Sequence, residues 1–341
     1  MNGVILIITA VLAFLITALI GLLLVPLLKR LKYGQTILEI GPKWHKSKQG
    51  VPTMGGFMFI IGIVLSTVAA FVAAHLLGET SFFEELSSLQ NLMPLVAGIG
   101  LALGMATIGF IDDYIKVVKK RNLGLRARQK TLLQLLVAAI YLVCLYLGGK
   151  TYTGLPLFGN INITEGVGLL FWPIALIFIY GFVNAVNLTD GIDGLASFVT
   201  LVVAGFYMVL TIQLNLFGLN ALSAALAGAM LGFLVWNMHP AKVFMGDTGS
   251  MFLGGLVVAL AFGTGYPALL ILVGIIYLIE ALSVVIQVSY YKRTKKRIFK
   301  MSPIHHHYEL SGWSENKIVI VFGLVTLVGG ALAFLAFKFL S

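Results

Sequence analysis

Long apolar runs alternate with short polar intervals along the chain, and the runs are of nearly one size. They fall at 3–28, 54–77, 92–111, 131–148, 167–186, 194–213, 220–236, 251–265, 267–289 and 317–340. Each is near the roughly 20 residues that an α-helix needs to cross the hydrocarbon core of a bilayer. The pattern predicts an all-α integral membrane protein with about ten transmembrane helices. No Gly/Ser linker, low-complexity tract or convincing internal repeat divides it, so residues 1–341 are expected to form a single polytopic domain. The first run lacks a basic leader and a small-residue cleavage site and is read as a retained span, not a signal peptide. Between the fourth and fifth runs, Lys150 to Glu165 alternates loosely with turn residues between, which predicts a small hairpin.

Composition strengthens this picture. Of 341 residues, 59% are hydrophobic and only 11% charged, whereas a soluble domain carries about 25% charged residues. Mean hydropathy is +1.00. Water-soluble, disordered and fibrous classes are excluded. The single cysteine, Cys144, cannot form an intrachain disulfide and is read as a small buried hydrophobe.

Charge adds orientation. Net charge is +10, which in a soluble protein would suggest nucleic acid. In a membrane protein a basic excess records topology and attraction to anionic lipid or phosphate, so membrane lipid is an expected partner and nucleic acid is not. The intervals alternate between two sides, and 21 of the 23 Lys and Arg residues fall on one of them. Only Lys150 and Lys338 fall on the other. The positive-inside rule makes the basic side cytoplasmic and puts both termini on the extracytoplasmic side. All five aspartates and five of the six histidines share the cytoplasmic side. Polar chemistry, and so the expected active site, is concentrated at the cytoplasmic membrane edge.

Five segments there carry candidate chemistry. Asp112 and Asp113 end the third run, where the negative end of a helix disfavours carboxylates and a cation is needed. Lys116, Lys119, Lys120 and Arg121 supply one answer and a divalent metal another. Asn187-Leu-Thr-Asp190-Gly-Ile-Asp193-Gly194 either caps the sixth span or holds a polar ligand at a helix N-terminus, and contains no counter-ion of its own. Asn237 to Ser250 places Asp247 between two glycines, as a cap or as a metal or phosphate site. Magnesium takes one or two carboxylates plus phosphates and water, and Asp112, Asp113 and Asp247 could hold it if their loops converge. Gly41 to Gly56 brings Lys43, Lys46, Lys48 and Thr53 to a glycine-rich turn, a phosphate clamp or an orientation signal. The last segment, Lys292 to Trp313, combines a basic stretch suited to lipid headgroups with His305-His306-His307, which suits hydrogen bonding to a phosphate or sugar better than a metal cage. Glu280, near the middle of the ninth run, is either functional or a hydrogen-bonded structural group.

At PTMGG, GFIDDYIKV, NAVNLTDGIDGLA, FMGDTGS and KMSPIHHHYEL, the chain resembles the phospho-N-acetylmuramoyl-pentapeptide transferase family. This family is a branch of the superfamily that transfers N-acetylhexosamine phosphates to polyprenyl phosphates. The resemblance runs from Lys43 to Trp313 in order. The Asp-Asp and NLTDG segments belong to the whole superfamily, whereas PIHHHYE and GPKWHK–PTMGG select the branch. It implies transfer of phospho-N-acetylmuramoyl-pentapeptide from its UDP carrier to undecaprenyl phosphate, giving lipid I and UMP, in the bacterial cytoplasmic membrane. It also implies magnesium dependence and a homodimer. Carried over residue by residue, Asp247 is the leading metal ligand, and Asp112 and Asp113 are the catalytic or metal-assisting pair. Lys48, Thr53, Lys116, Asn187, Asp190, Asp193, Asn237, His305, His306 and His307 are assigned to substrate binding. Two rivals stand beside this reading: a superfamily relative using UDP-N-acetylglucosamine, and a secondary transporter of anions. A transporter places its site near the bilayer midplane, often between internal repeats; here only Glu280 is central.

Overall fold

The computed structural model describes residues 2–31, 48, 50–118, 123–155 and 158–339. Lys43, Lys46, Lys119, Lys120 and Arg121 lie outside the described residues. Helices α1 (Asn2–Arg30), α2 (Gly56–Leu76), α3 (Thr80–Leu86), α4 (Leu89–Val118) and α5 (Ala127–Leu147) open the chain. A two-stranded hairpin follows, β1 (Tyr152–Leu155) against β2 (Gly159–Asn162), antiparallel with Tyr152 opposite Asn162. Then come α6 (Phe171–Thr189), α7 (Leu195–Gln213), α8 (Phe217–Asn237), α9 (Gly246–Gly263), α10 (Leu269–Val273), α11 (Ile275–Thr294), α12 (Ile304–Glu309) and α13 (Glu315–Lys338).

Among the described residues, ten helices are long and apolar enough to cross a bilayer, as the apolar runs predict. They are not equivalent. In α9, 89% of the most apolar stretch is buried inside the protein, against 22% in α1, so α9 is the axis and α1 faces lipid. The sequence of α9 explains its place, because small residues let backbones approach closely without a hydrophobic driving force. A Cβ on Gly254 would meet the Val183 Cα of α6 at 2.8 Å, and one on Gly255 the Ala102 Cα of α4 at 2.9 Å. Helices α4 and α6 accordingly flank α9, α1 lies along α8 and α2, and α13 closes against α7 and α10.

Several boundaries depart from the apolar runs: α9 begins at Gly246, ahead of its run, which puts Asp247 in its first turn, and two others also matter. The third run ends at 111, but α4 continues to Val118. At 1.5 Å per residue a helix of 30 residues is roughly 45 Å long, more than the ~30 Å core. Asp112 and Asp113 therefore sit within its last two turns, not at its end. The ninth run is broken at Gly274, whose N–H closes α10 on Leu270 O at 2.8 Å. Beyond it α11 leans on α6 while α10 packs on α13.

Candidate functional site

The first N–H groups of any helix lack partners inside it, and the residue preceding α9, Met245, offers no side-chain cap. Asp113 of α4 supplies one across the bundle. Its Oδ1 accepts from Asp247 N at 3.2 Å, and its Oδ2 from Thr248 N at 2.9 Å and Thr248 Oγ1 at 2.8 Å. An anion on the positive end of α9 is favourable. Glycines make the approach possible: a Cβ on Gly109 would overlap Asp247 O, and one on Gly246, whose φ is +71°, would lie 2.6 Å from Asp113 Oδ2. The PTMGG segment belongs to the same joint. Pro52 O accepts from Phe244 N at 2.8 Å, Gly55 N donates to Phe244 O at 2.8 Å, and Gly56 N to Met245 O at 3.0 Å. Thr53 stands beside Gly246, with its Oγ1 2.7 Å from where a Cβ would be.

Asp247, in the first turn of α9, becomes the hub. Its Oδ2 accepts from Lys116 Nζ at 3.0 Å and Lys130 Nζ at 2.9 Å, and its Oδ1 from Asn187 Nδ2 at 3.0 Å. Asn187 also donates to Ser250 Oγ at 2.7 Å. Lys116, one turn beyond Asp112, pairs with that carboxylate at 2.6 Å, while Asp112 Oδ1 accepts from Leu125 N at 2.7 Å. Four helix ends thus meet: the C-terminal turns of α4 and α6 and the N-terminal turns of α5 and α9. Three carboxylates face two lysines, leaving one net negative charge among these five groups.

One oxygen each of Asp112, Asp113 and Asp247 lie within 4.8 Å of one another. An octahedral magnesium with ligands at about 2.0–2.1 Å sets adjacent ligand oxygens roughly 2.9 Å and opposite ones roughly 4.2 Å apart, so this hard-oxygen set suits a divalent cation with a small inward shift. Asp113 and Asp247 each accept three hydrogen bonds, whereas Asp112 meets Leu125 N and Lys116, so Asp112 has the more available lone pairs.

A second network lies beside the first. Asp193 Oδ1 takes Lys48 Nζ at 2.8 Å, and its Oδ2 meets His239 Nδ1 at 2.9 Å and accepts from Ala241 N at 3.0 Å. Glu315, opening α13, accepts from the same Lys48 at 2.7 Å and from Asp193 N at 2.9 Å. The counter-ion missing from the 187–194 segment thus comes from Lys48. Asn237 is turned inward, accepting from Gly194 N and Ser197 Oγ and donating to Val243 O. Its place is in the joint that shapes the turn. The Asp190 carboxylate, by contrast, has no partner among the described residues. Burial, reinforced by the charges of Asp247, Asp113 and Asp193, holds it well above the usual carboxylate range, with Lys48 opposing.

The histidine triplet divides three ways. His305 is fully buried, its Nδ1 3.0 Å from Glu280 Oε2. His306 Nδ1 lies 2.6 Å from Glu309 Oε2, and His307 Nδ1 accepts from Lys300 N at 3.1 Å. The structure therefore brings Asp112, Asp113, Lys116, Asn187 and Asp247 into one cluster and Lys48 and Asp193 into its neighbour. Sequence reasoning missed Lys130, His239 and Glu315 as members. Lys130 and His239 are visible there only as one of many basic residues and one residue of a longer motif.

A polytopic helical membrane protein whose helix ends gather acids and lysines at one edge defines a class, and the comparisons agree with it. Residues 95–265 match the family described as glycosyl transferase family 4. The chain is 44% identical over 330 residues to the phospho-N-acetylmuramoyl-pentapeptide-transferase of Halalkalibacterium halodurans, covering 96% of each. It is 44% identical to the protein of that name from Bacillus subtilis (94% and 95% covered) and 46% to that from Carboxydothermus hydrogenoformans (90% and 91%). The chain belongs to glycosyl transferase family 4 and, within it, to the phospho-N-acetylmuramoyl-pentapeptide transferases.

Proposed function

We propose that this protein transfers phospho-N-acetylmuramoyl-pentapeptide from its UDP carrier to undecaprenyl phosphate, with lipid I and UMP as products. The observation that carries the reading is the Asp247 hub, which joins two lysines, Asn187 and the Asp112–Asp113 pair in a chain 44–46% identical to enzymes of that name. In the reaction an oxygen of the lipid phosphate attacks the sugar-linked phosphorus, and the bond from that phosphorus to the bridging oxygen breaks. The electron pair leaves with UMP. One phosphoanhydride replaces another, so the barrier is mainly that of bringing polyanions together and aligning them, and fixed cationic groups lower it.

Each side chain has work suited to its place. Lys116 and Lys130 bind and neutralise phosphate oxygens. Asp112 takes the proton of the acceptor phosphate. Asp113 fixes the N-terminus of α9, and with it Asp247. Lys48, Thr53, Asn187, Asp190, Asp193 and the histidine segment bind the donor, with Asn237 supporting the turn. Asp112, Asp113 and Asp247 would hold magnesium, which neutralises phosphate charge when bound. A lipid acceptor and a water-soluble donor can meet only at a membrane surface, which agrees with acids gathered at one helix edge. The basic excess there supports placement in the bacterial cytoplasmic membrane with this edge facing the cytoplasm. Assembly as a homodimer rests on the family resemblance.

The test is purified protein in detergent with both substrates and magnesium, reading UMP. UDP-N-acetylmuramoyl-pentapeptide should turn over at least about a thousandfold faster than UDP-N-acetylglucosamine, about 4 kcal/mol of discrimination. Equal use of both donors would remove the muramoyl assignment, and absence of UMP would remove the transferase.

A further inference from the structure

Glu280 lies in α11, inside a membrane span, and is fully buried. A carboxylate there is costly and reads as functional by default, yet neither network described above uses it. Its Oε2 faces Nδ1 of His305 at 3.0 Å, and His305 is as deeply buried. The other carboxylate oxygen, Oε1, and the other ring nitrogen, Nε2, have no hydrogen-bond partner among the described residues.

The direction of Nε2 is set by Gly191. A Cβ on that residue would overlap His305 Nε2 and Cε1. The edge of the imidazole therefore rests against the backbone between Asp190 and Asp193. Gly191 has no left-handed φ, so a turn does not require glycine there; the space taken by the ring does. The two nitrogens of an imidazole are not independent, because the bond made by one fixes the proton and the orientation of the other. Nδ1 is engaged by Glu280, so Nε2 is the atom left facing the turn.

We propose that Glu280 is a positioning residue for the transfer. Acting through His305, it locks the ring plane and the Nδ1 proton so that Nε2 is presented to the Asp190–Gly191 backbone and the substrate group bound beside it. This rests on the transferase reading. Glu280 touches no substrate, and its effect should disappear when His305 is gone.

The test compares the full-length wild type with Glu280→Gln, Glu280→Leu, His305→Ala and the Glu280→Leu/His305→Ala double variant. Glu280→Leu should lower kcat/KM at least about tenfold, and the double variant should match His305→Ala within about twofold, because residues acting as one unit are not additive. Glu280→Gln should stay within about threefold of wild type, since its amide oxygen still accepts from Nδ1–H. Wild-type kcat/KM in Glu280→Leu, or losses that multiply in the double variant, would overturn the proposal. A second readout needs no turnover: the 15N resonances of His305, assigned by their loss in His305→Ala. They should report Nδ1 protonation in wild type and Glu280→Gln and change in Glu280→Leu. Unchanged resonances in Glu280→Leu would overturn the positioning role even if no UMP were formed, which separates its failure from that of the transferase reading. Should Glu280→Leu not fold, Glu280→Gln decides: loss of the wild-type His305 resonances there overturns the proposal, and their retention upholds it.

Discussion

Replacing Asp113 with Asn separates a role in stability from a role in chemistry. The wild-type carboxylate accepts three hydrogen bonds from the first turn of α9, at 3.2, 2.9 and 2.8 Å. An asparagine keeps one acceptor oxygen and turns an NH2 donor toward a donating N–H. At least one charge-assisted bond is lost, about 1.5–3 kcal/mol, together with an anion–helix-terminus interaction of about 0.3–1 kcal/mol. Burial and the charge of Asp247 push this carboxyl up to about 6, a cost at neutral pH that the uncharged asparagine escapes, so a smaller net loss of about 1–2 kcal/mol is expected. At roughly 2–4 °C per kcal/mol for chains of 150–250 residues, and somewhat less in a longer chain, melting should fall by roughly 2–6 °C. Cys144, the only cysteine and half-buried in α5, provides the assay: a thiol-reactive fluorogenic dye reports its exposure on heating in detergent. Asp112→Asn is the control. It keeps an acceptor for Leu125 N, and Lys116 retains Asp247, so its melting should shift by less than about 2 °C while turnover falls at least about a hundredfold. Asp113→Asn melting with the wild type, or Asp112→Asn falling as far, would refute the capping argument.

Three further outcomes are expected. Lys130→Met should reduce UMP release about a hundredfold, the scale of losing one preorganised charge-stabilising donor, and Asp247→Asn should do the same while raising the magnesium concentration needed for half-maximal rate; near-normal turnover in both would sink the hub. Asp190→Asn should lower turnover yet raise melting by about 2 °C or more at neutral pH, because the native fold holds the wild-type carboxylate well above its ordinary pKa and so resists its ionisation. That gain should be absent below the ordinary carboxylate range and grow as pH rises through it to the raised native value; a pH-independent difference in melting would contradict it. In a Cys144→Ala background, a cysteine at Ser87 or Asn160 should react with an impermeant thiol reagent added outside intact cells, and one at Lys296 only after the membrane is opened, so outside labelling at 296 would overturn the orientation.

The spans were readable because the bilayer imposes a length and a composition on every crossing segment. The hairpin after α5 was readable for a similar local reason, as alternation between turn residues. What the apolar pattern could not show was where a helix outruns the membrane. Lys116 and Val118 look like loop to a hydropathy window, although α4 carries them helically, and the same window hides Asp247 inside α9. The error matters because it decides what Asp112 and Asp113 do. At a bare helix end they would simply repel the terminal carbonyls. One turn earlier, one meets Lys116 on its own helix and the other meets the N-terminus of α9.

The acids of the site were legible for the opposite reason: charged residues are so rare in this chain that each stands out against 59% hydrophobic composition. Their partners were not. Lys130 binds Asp247 from 117 positions away, and Lys48 meets Glu315 across 267, so no local window contains either pair. In the sequence both lysines serve equally well as topology signals, and that reading accounts for them without a site. Only the packing of α9 against α4, allowed by Gly109 and held by the Asp113 cap, turns the charge of Lys130 into a partner for the half-buried Asp247 carboxylate. The one-sided bias of Lys and Arg along the chain and the ion pairs of the proposed site thus draw on the same residues.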